Sequence, residues 1–236
     1  MTLLRVPAQE LVEGSRSLDE PSGRYVSRVH RKTVGDALLL VDHAAHQEAD
    51  AVIESLEPEV RVLLGPVRTA ALSQLRRVTV VQALGKTDKI DQIARDLTEI
   101  GAYCLVPVTT RRTVVKLAGK EAARLDRWRR VVVEAARQAG RPDTLLIEPI
   151  MPLGRALREI QADVRLLLSP TAAARLSDLS LPPACAVAVL IGPEGGFHPD
   201  EVRAAEETGW EAVALGSTVL RTETAGPAVT AALLYR

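Results

Sequence analysis

At 236 residues, with 47% hydrophobic and 25% charged residues, the chain has the balance of a soluble globular protein: one large domain, or one with a small appendage. Aromatics reach only 3%, so Val, Leu, Ile and Ala must fill the core, which suits parallel strands covered by Ala-rich helices. Thirty basic and 30 acidic residues cancel, so global charge gives no support for nucleic-acid binding and any such support has to be local.

Residues 1–70 read as short strands and turns, with candidate strands at Tyr25–Val29, Ala37–Val41, Ala51–Ile53 and Val60–Leu64. Gly35-Asp36 is a turn signal, and Pro and Gly recur throughout, which predicts a small β-rich module. The pattern then changes. Over residues 71–236 candidate strands at Val78–Ala83, Tyr103–Val108, Leu145–Ile150, Arg165–Ser169, Cys185–Ile191 and Glu211–Leu215 alternate with candidate helices at Asp88–Ile100, Glu121–Ala139, Leu153–Gln161, Pro199–Gly209 and Thr224–Leu234. Ile90, Ile93, Ala94, Leu97 and Ile100 have helical spacing, and Gly101 and Gly140 are placed to end their helices. Alternation of this kind predicts an α/β domain with a parallel sheet. Basic residues crowd Arg124, Arg127, Arg129, Arg130, Arg137 and Arg141, just after Arg111, Arg112 and Lys116.

Cys104 and Cys185 lie in apolar runs without CxxC or His-rich spacing, so both read as reduced core residues and no metal site is expected. Nothing at the N-terminus reads as a signal peptide and no run reaches membrane-spanning length, which predicts a cytoplasmic protein.

Two segments carry the chemistry. In Ile191-Gly192-Pro193-Glu194-Gly195-Gly196-Phe197 a buried strand runs into a loop of glycines, and a helix follows. Ligands of open α/β sheets sit beyond the carboxyl ends of the strands, and glycines let a ligand approach the main chain. A tight strand-to-helix turn is the plainer reading. The loop lacks the Lys-Ser/Thr ending of a P-loop and is not GxGxxG, so phosphate binding is disfavoured. The second segment is Leu215-Gly216-Ser217-Thr218-Val219-Leu220-Arg221-Thr222-Glu223-Thr224-Ala225. Val219 and Leu220 read either as core or as part of a loop holding an adenine edge, and Thr222 or Glu223 as a helix cap. Arg221 and Glu223 suit a polar site at a sheet edge, where an Arg stabilises developing negative charge.

GPEGG at Gly192–Gly196 with LGSTVLRTETA at Leu215–Ala225 resembles the SPOUT superfamily of knotted methyltransferases, and within it the ribosomal RNA small subunit methyltransferase E family. Ala83–Gly101 resembles that family's Lys-containing loop and following helix. Arg127-Trp128 and Glu134–Arg141 resemble its Trp-containing helix and Glu-Ala-Ala-x-Gln-x-x-Arg signature, and Arg28–Arg31 with Val34–Asp36 the start of its N-terminal barrel. The chain departs from the family pattern at Tyr25, Gly85, Thr87, Asp96 and Ser169.

The resemblance implies a C-terminal parallel-sheet domain with a trefoil knot (71–236), a small PUA-like RNA-binding β-barrel (1–70) and a homodimer. It implies S-adenosylmethionine (SAM) as methyl donor and N3 of a uridine in 16S rRNA of the small ribosomal subunit as acceptor. Cofactor binding would fall to Leu168, Ser169, Ile191, Gly192, Pro193, Glu194, Gly195, Gly196, Leu215, Gly216, Ser217, Val219, Leu220, Thr224 and Ala225, and catalysis to Arg221 and Glu223. RNA binding would fall to Arg28, Arg31, Lys86, Arg112, Gln138 and Arg141. The alternatives are a non-catalytic RNA-binding assembly factor of the same fold, a methyltransferase acting on a different RNA site, and a nucleotide-dependent transferase.

Overall fold

The structure, a computed structural model, describes residues 3–42, 45, 47–69, 76–85, 89–113, 119–141, 143–182 and 184–235. Its chain forms two compact units, Met1–Ser73 with Ala136–Thr144, and Gln74–Ala135 with Leu145–Arg236.

In the first unit β1 (Leu4–Pro7), β2 (Gly14–Ser17), a short helix α1 (Glu20–Arg24), β3 (Ala37–Asp42), β4 (Gln47–Ser55), β5 (Arg61–Leu64) and β6 (Arg68–Thr69) follow in order. The strands form one sheet in the order β1-β3-β4-β5-β2, with β6 also on β4. Among the described residues, only β1 and β3 run parallel. Alternate residues Leu38, Leu40, Ala49, Ala51, Ile53, Val62 and Leu64 point into a single core, as period-two patterning requires. β1 and β2 end the sheet without pairing to each other, so among the described residues the module is an open sheet rather than a closed barrel.

Tyr25–Val29 is not a strand. It continues α1 as a turn of π-helix. The Asp19 carboxylate accepts from Ser22 N at 2.8 Å and Pro21 occupies the first turn, so a capped helix is already running when the β-favouring residues arrive. Val26 keeps the turn in register by entering the core. The Gly35 turn is present, with Gly35 at φ +91° and the Asp36 carboxylate accepting from Thr33 N at 2.8 Å.

The second unit alternates as expected: β7 (Arg77–Ala83), α2 (Ile90–Ile100), β8 (Cys104–Thr109), α3 (Glu121–Ala139), β9 (Leu146–Ile147), β10 (Met151–Pro152), α4 (Leu153–Glu159), β11 (Val164–Leu168), β12 (Ala186–Ile191), α5 (Pro199–Glu207), β13 (Glu211–Val213) and α6 (Thr222–Leu234). The last residues of α3, from Ala136 onward, belong to the first unit. All strand pairs are parallel, in the order β10-β8-β7-β12-β11-β13 with β9 on β8. The strand expected over Leu145–Ile150 pairs only at Leu146–Ile147, because Pro149 has no N–H to extend the ladder.

β12 shows why its sequence is continuously apolar. Val187, Val189 and Ile191 join a core with α2, α3 and α6, while Ala188 and Leu190 join a core on the opposite face with α4 and α5. α2 buries Ile90, Ile93, Ala94 and Leu97, and each buried Ile or Leu contributes roughly 1.5–3 kcal/mol. Gly101, at φ +108°, then ends the helix by donating to Leu97 O at 3.1 Å. Cys104 and Cys185 are buried free thiols, and burial pushes the Cys104 thiol up to about 12. Among the described residues no helix is long and apolar enough to cross a membrane, and no cluster of His, Cys, Asp and Glu is arranged to hold a metal.

Candidate active site

The chain runs outward from β7 to β8 and β10, crosses to β11, inserts β12 between β7 and β11, and ends on β13 outside β11. This order brings the carboxyl ends of β11, β12 and β13 side by side, where a ligand of a parallel α/β sheet is expected. A cavity of about 560 Å³ opens there, a size ordinary for a small-molecule site.

Its walls come from those three strand ends. Leu167 and Leu168 end β11 and Ser169 and Pro170 follow it; Ile191 ends β12 and Gly192 to Glu194, Gly196 and Phe197 follow it; Leu215, Gly216 and Thr218 to Glu223 come after β13. Val202, Ala225 and Lys89 complete the lining. The lining is mostly apolar, and Lys89, Glu194, Arg221 and Glu223 supply its charges.

The Gly-rich loop is held by named contacts. Gly196 takes φ +69° and donates to Pro193 O at 2.8 Å, closing the turn. Phe197, the chain's one Phe, lies against Gly192, where an added Cβ would stand 3.2 Å from its ring. His198 then caps α5: its Nδ1 accepts from Asp200 N at 3.3 Å, and the Glu201 carboxylate accepts from His198 N at 2.8 Å. The other oxygen of Glu201 accepts from Arg111 N at 2.8 Å, which ties the basic loop after β8 to the same cap. Arg112 donates to Gly195 O, and Arg111 donates to Asp200 at 2.7 Å and holds that carboxyl below its usual range.

The second loop is anchored differently. Thr222, at the first position of α6, donates to Gly192 O at 2.8 Å and accepts from the amide of buried Gln82 at 2.9 Å. Neither Thr222 nor Glu223 caps α6 with its side chain: Arg221 is the N-cap residue and makes no side-chain cap. Glu223 is buried and ion-paired with Lys89, and Arg221 Nη1 approaches the same carboxylate at 4.0 Å. The Lys89 ammonium, with help from the first-turn backbone N–H and from Arg221, holds the Glu223 carboxyl below the ordinary range against the opposing effect of burial. Val219 and Leu220 are not core. Val219 is 79% exposed, and both stand on the cavity rim.

Beyond β13 the chain passes between β11 and the segment that follows β11. Ser169 N donates to Val213 O at 2.9 Å on one side, and Ala214 N donates to Ala174 O at 2.8 Å on the other.

Of the residues singled out from the sequence, Leu168, Ser169, Ile191, Gly192, Pro193, Glu194, Gly196, Leu215, Gly216, Val219, Leu220, Arg221, Glu223 and Ala225 meet around this cavity. Gly195, Ser217 and Thr224 do not line it. Gly195 turns its carbonyl to Arg112, Ser217 is exposed, and Thr224 lies in the first turn of α6 with its N–H on Arg221 O. Lys86 lies outside the described residues. Arg112 is exposed in the second unit, while Arg28, Arg31, Gln138 and Arg141 belong to the first. Arg28, Arg31 and Gln138 are exposed, but Arg141 is buried and its Nε donates to Asp143 at 3.1 Å. Lys89, Phe197 and Val202 were not assigned a role from sequence. Phe197 ends the recognised loop motif, and Lys89 lies in the Ala83–Gly101 segment, but its partner is 134 positions away.

A family model described as an RNA methyltransferase domain matches residues 72–234. The ribosomal RNA small subunit methyltransferase E of Mycobacterium bovis is 33% identical over 216 residues, covering 88% of this chain and 81% of that protein. Its namesake in Synechocystis sp. is 30% identical over 229 residues, covering 94% and 73%. The crystal structure of a ribosomal RNA small subunit methyltransferase E from Neisseria gonorrhoeae bound to S-adenosyl methionine superposes with a TM-score of 0.85 at 28% identity, covering 98% of this chain and 97% of that one.

Proposed function

Because the chain belongs to the ribosomal RNA small subunit methyltransferase E family, and is thereby a SAM-dependent rRNA methyltransferase, we propose that it methylates N3 of a uridine in 16S rRNA of the small subunit. The observation that carries this reading is Arg221. Its side chain stands on the rim of the cavity and is 82% exposed, with Nη1 4.0 Å from a buried carboxylate.

The residues present fit the cofactor. Gly216 lines the cavity, and a Cβ added there would meet nothing within 4 Å, so the glycine leaves open room that a side chain would take. The apolar walls at Leu168, Ile191 and Leu220 suit an adenosine, and the main chain of Gly192–Gly196 and Leu215–Leu220 offers its polar groups. Bound there, the cofactor supplies a methyl group already activated by its positive sulfur, so no metal is needed.

The protein has a different task. Uracil N3 carries a proton and is a poor nucleophile while it does. Once the proton leaves, negative charge spreads to the flanking oxygens, and a fixed guanidinium favours that anion electrostatically. Arg221 fills this role. Glu223 orients Arg221 rather than taking the proton, because a carboxyl held ionised by Lys89 is a weakened base. The target base must be unpaired or flipped to present N3.

The first unit is read as a PUA-like RNA-binding module, with Arg28, Arg31 and Gln138 on its surface. The passage of Val213–Ala214 between β11 and Ala174 supports a knotted C-terminus, with α6 drawn through the loop that follows β11. Exposed Val219 and Leu220 at the cavity rim support a homodimer in which a second copy covers them. Mass spectrometry of rRNA nucleosides tests the acceptor. Cells lacking the gene should lose N3-methyluridine and regain it with the wild-type gene; an unchanged level refutes the assignment.

A further inference from the structure

Lys89 immediately precedes α2, and its ammonium donates to Oε1 of Glu223 in the first turn of α6. Arg221 Nη1 stands 4.0 Å from that same oxygen. Two cations therefore share one carboxylate. The exposures differ sharply: the side chains of Lys89 and Glu223 are 31% and 11% exposed, that of Arg221 82%. Among the described residues, the approach to Glu223 is the one ion pair that Arg221 makes.

An Arg beside an otherwise unmatched, partly desolvated carboxylate closes onto it in a bidentate pair, because charge-assisted bonds in low dielectric are strong. Such a pair is neutral and has spent its donors. Here Lys89 already balances the carboxylate's charge at Oε1, and the three groups together keep one net positive charge at the rim.

We propose that Lys89 is a positioning residue for methyl transfer: by occupying Glu223 it keeps the Arg221 guanidinium uncommitted and turned to the anionic form of the acceptor base. This inference rests on the methyl-transfer reading of the site. It makes Lys89, although it lines the cavity, act on the reaction through two other residues.

The test uses the full-length protein and the variants Lys89→Met, Lys89→Arg, Glu223→Gln and the Lys89→Met/Glu223→Gln pair. Lys89→Met should lower kcat about tenfold or more while SAM affinity, read by calorimetry, stays within about threefold, and Lys89→Arg should restore most of the loss. The sharper sign is in the double variant. Glu223→Gln alone should reduce kcat, but added to Lys89→Met it should raise kcat by about threefold or more, because the trap that captures Arg221 is gone. A merely structural strut between α2 and α6 gives no such reversal. The crystal structure of Lys89→Met should show Arg221 closed onto Glu223, a readout that needs no turnover. Wild-type kcat in Lys89→Met, a further loss in the double variant, an unmoved Arg221, or a large loss of SAM affinity each overturns the inference. Failure of the acceptor reading looks different: wild-type protein then forms no N3-methyluridine on rRNA, while the position of Arg221 in Lys89→Met still decides the role of Lys89.

Discussion

The hydroxyl of Thr222 donates to the carbonyl of Gly192 at 2.8 Å, joining the first residue of α6 to the first glycine of the loop after β12. Gln82, at 0% exposure on β7, completes the joint by donating to Thr222 at 2.9 Å. One hydroxyl thus ties the ends of two neighbouring parallel strands, β7 and β12, to α6 beside the cavity. Its geometry couples a fold contact to a binding loop, so a change at Thr222 should register in both stability and cofactor affinity.

Thr222→Val keeps the shape and removes the hydroxyl. It leaves the Gly192 carbonyl without this donor and the buried Gln82 amide without this acceptor, at a cost of about 1–3 kcal/mol. The melting temperature should fall by several degrees, and SAM affinity should weaken by about tenfold because the Gly192 loop loses its tether. Thr222→Ser should preserve both. A valine variant with unchanged affinity in calorimetry would show that the loop is held by Gly196 and Phe197 without help.

Gly192→Ala tests the opposite side of the same loop. Its new Cβ would stand 3.2 Å from Phe197 Cε2 and 3.4 Å from Gly196 Cα, tighter than ordinary contact with a ring that the core also holds. The loop must shift rather than the ring, and SAM affinity should fall about tenfold while the melting temperature drops by no more than a few degrees. Equal losses in both measurements would mean that the site and the core had moved together.

Much of this was legible in the sequence, and the reasons differ by residue. β12 and α2 announced themselves because burial on two faces or on one stripe imposes a periodicity that neighbours in sequence reveal. Gly101 and Gly140 were legible because left-handed backbone at a helix end leaves few residue choices, and both adopt positive φ. Tyr25–Val29 misled because its β-favouring side chains were outweighed by a cap six residues earlier, at Asp19. The two loops were legible as motifs, but their division of labour was not. Thr222 read as a cap and is a clip. Val219 and Leu220 read equally as core or loop and are exposed rim. Lys89 lies in the Ala83–Gly101 segment that carries the resemblance, but its partner was not legible there, since it is a carboxylate on the last helix.

Arg221→Ala separates acceptor chemistry from cofactor binding. The side chain is largely exposed on the rim and makes its one ion pair among the described residues with Glu223, so its removal should leave the glycine loops undisturbed. Turnover should fall about 10²–10³-fold, as when one electrostatic donor to a developing anion is deleted, with SAM affinity within about threefold. Single-turnover kinetics beside calorimetry makes the distinction. A large loss of SAM affinity would place Arg221 on the cofactor instead.

The Lys89–Glu223 pair also predicts how stability responds to acid. The folded-state pKa of Glu223 lies below that of an ordinary glutamate, about 4.3 in an unfolded chain, because Lys89 favours the charged form. The unfolded state therefore binds the proton more readily, and the stabilisation is complete above the unfolded value. It is lost as pH falls through the lower folded value. At neutral pH the pair contributes fully, and between about pH 5 and pH 3 wild type should lose stability faster than Glu223→Gln, whose neutral amide has no proton to take up. Denaturant midpoints measured for both proteins at pH 7, 5, 4 and 3 should converge toward the acid end. Parallel curves across that range would mean that the carboxylate gains nothing from Lys89 in solution, and would remove the charge balance on which an uncommitted Arg221 depends.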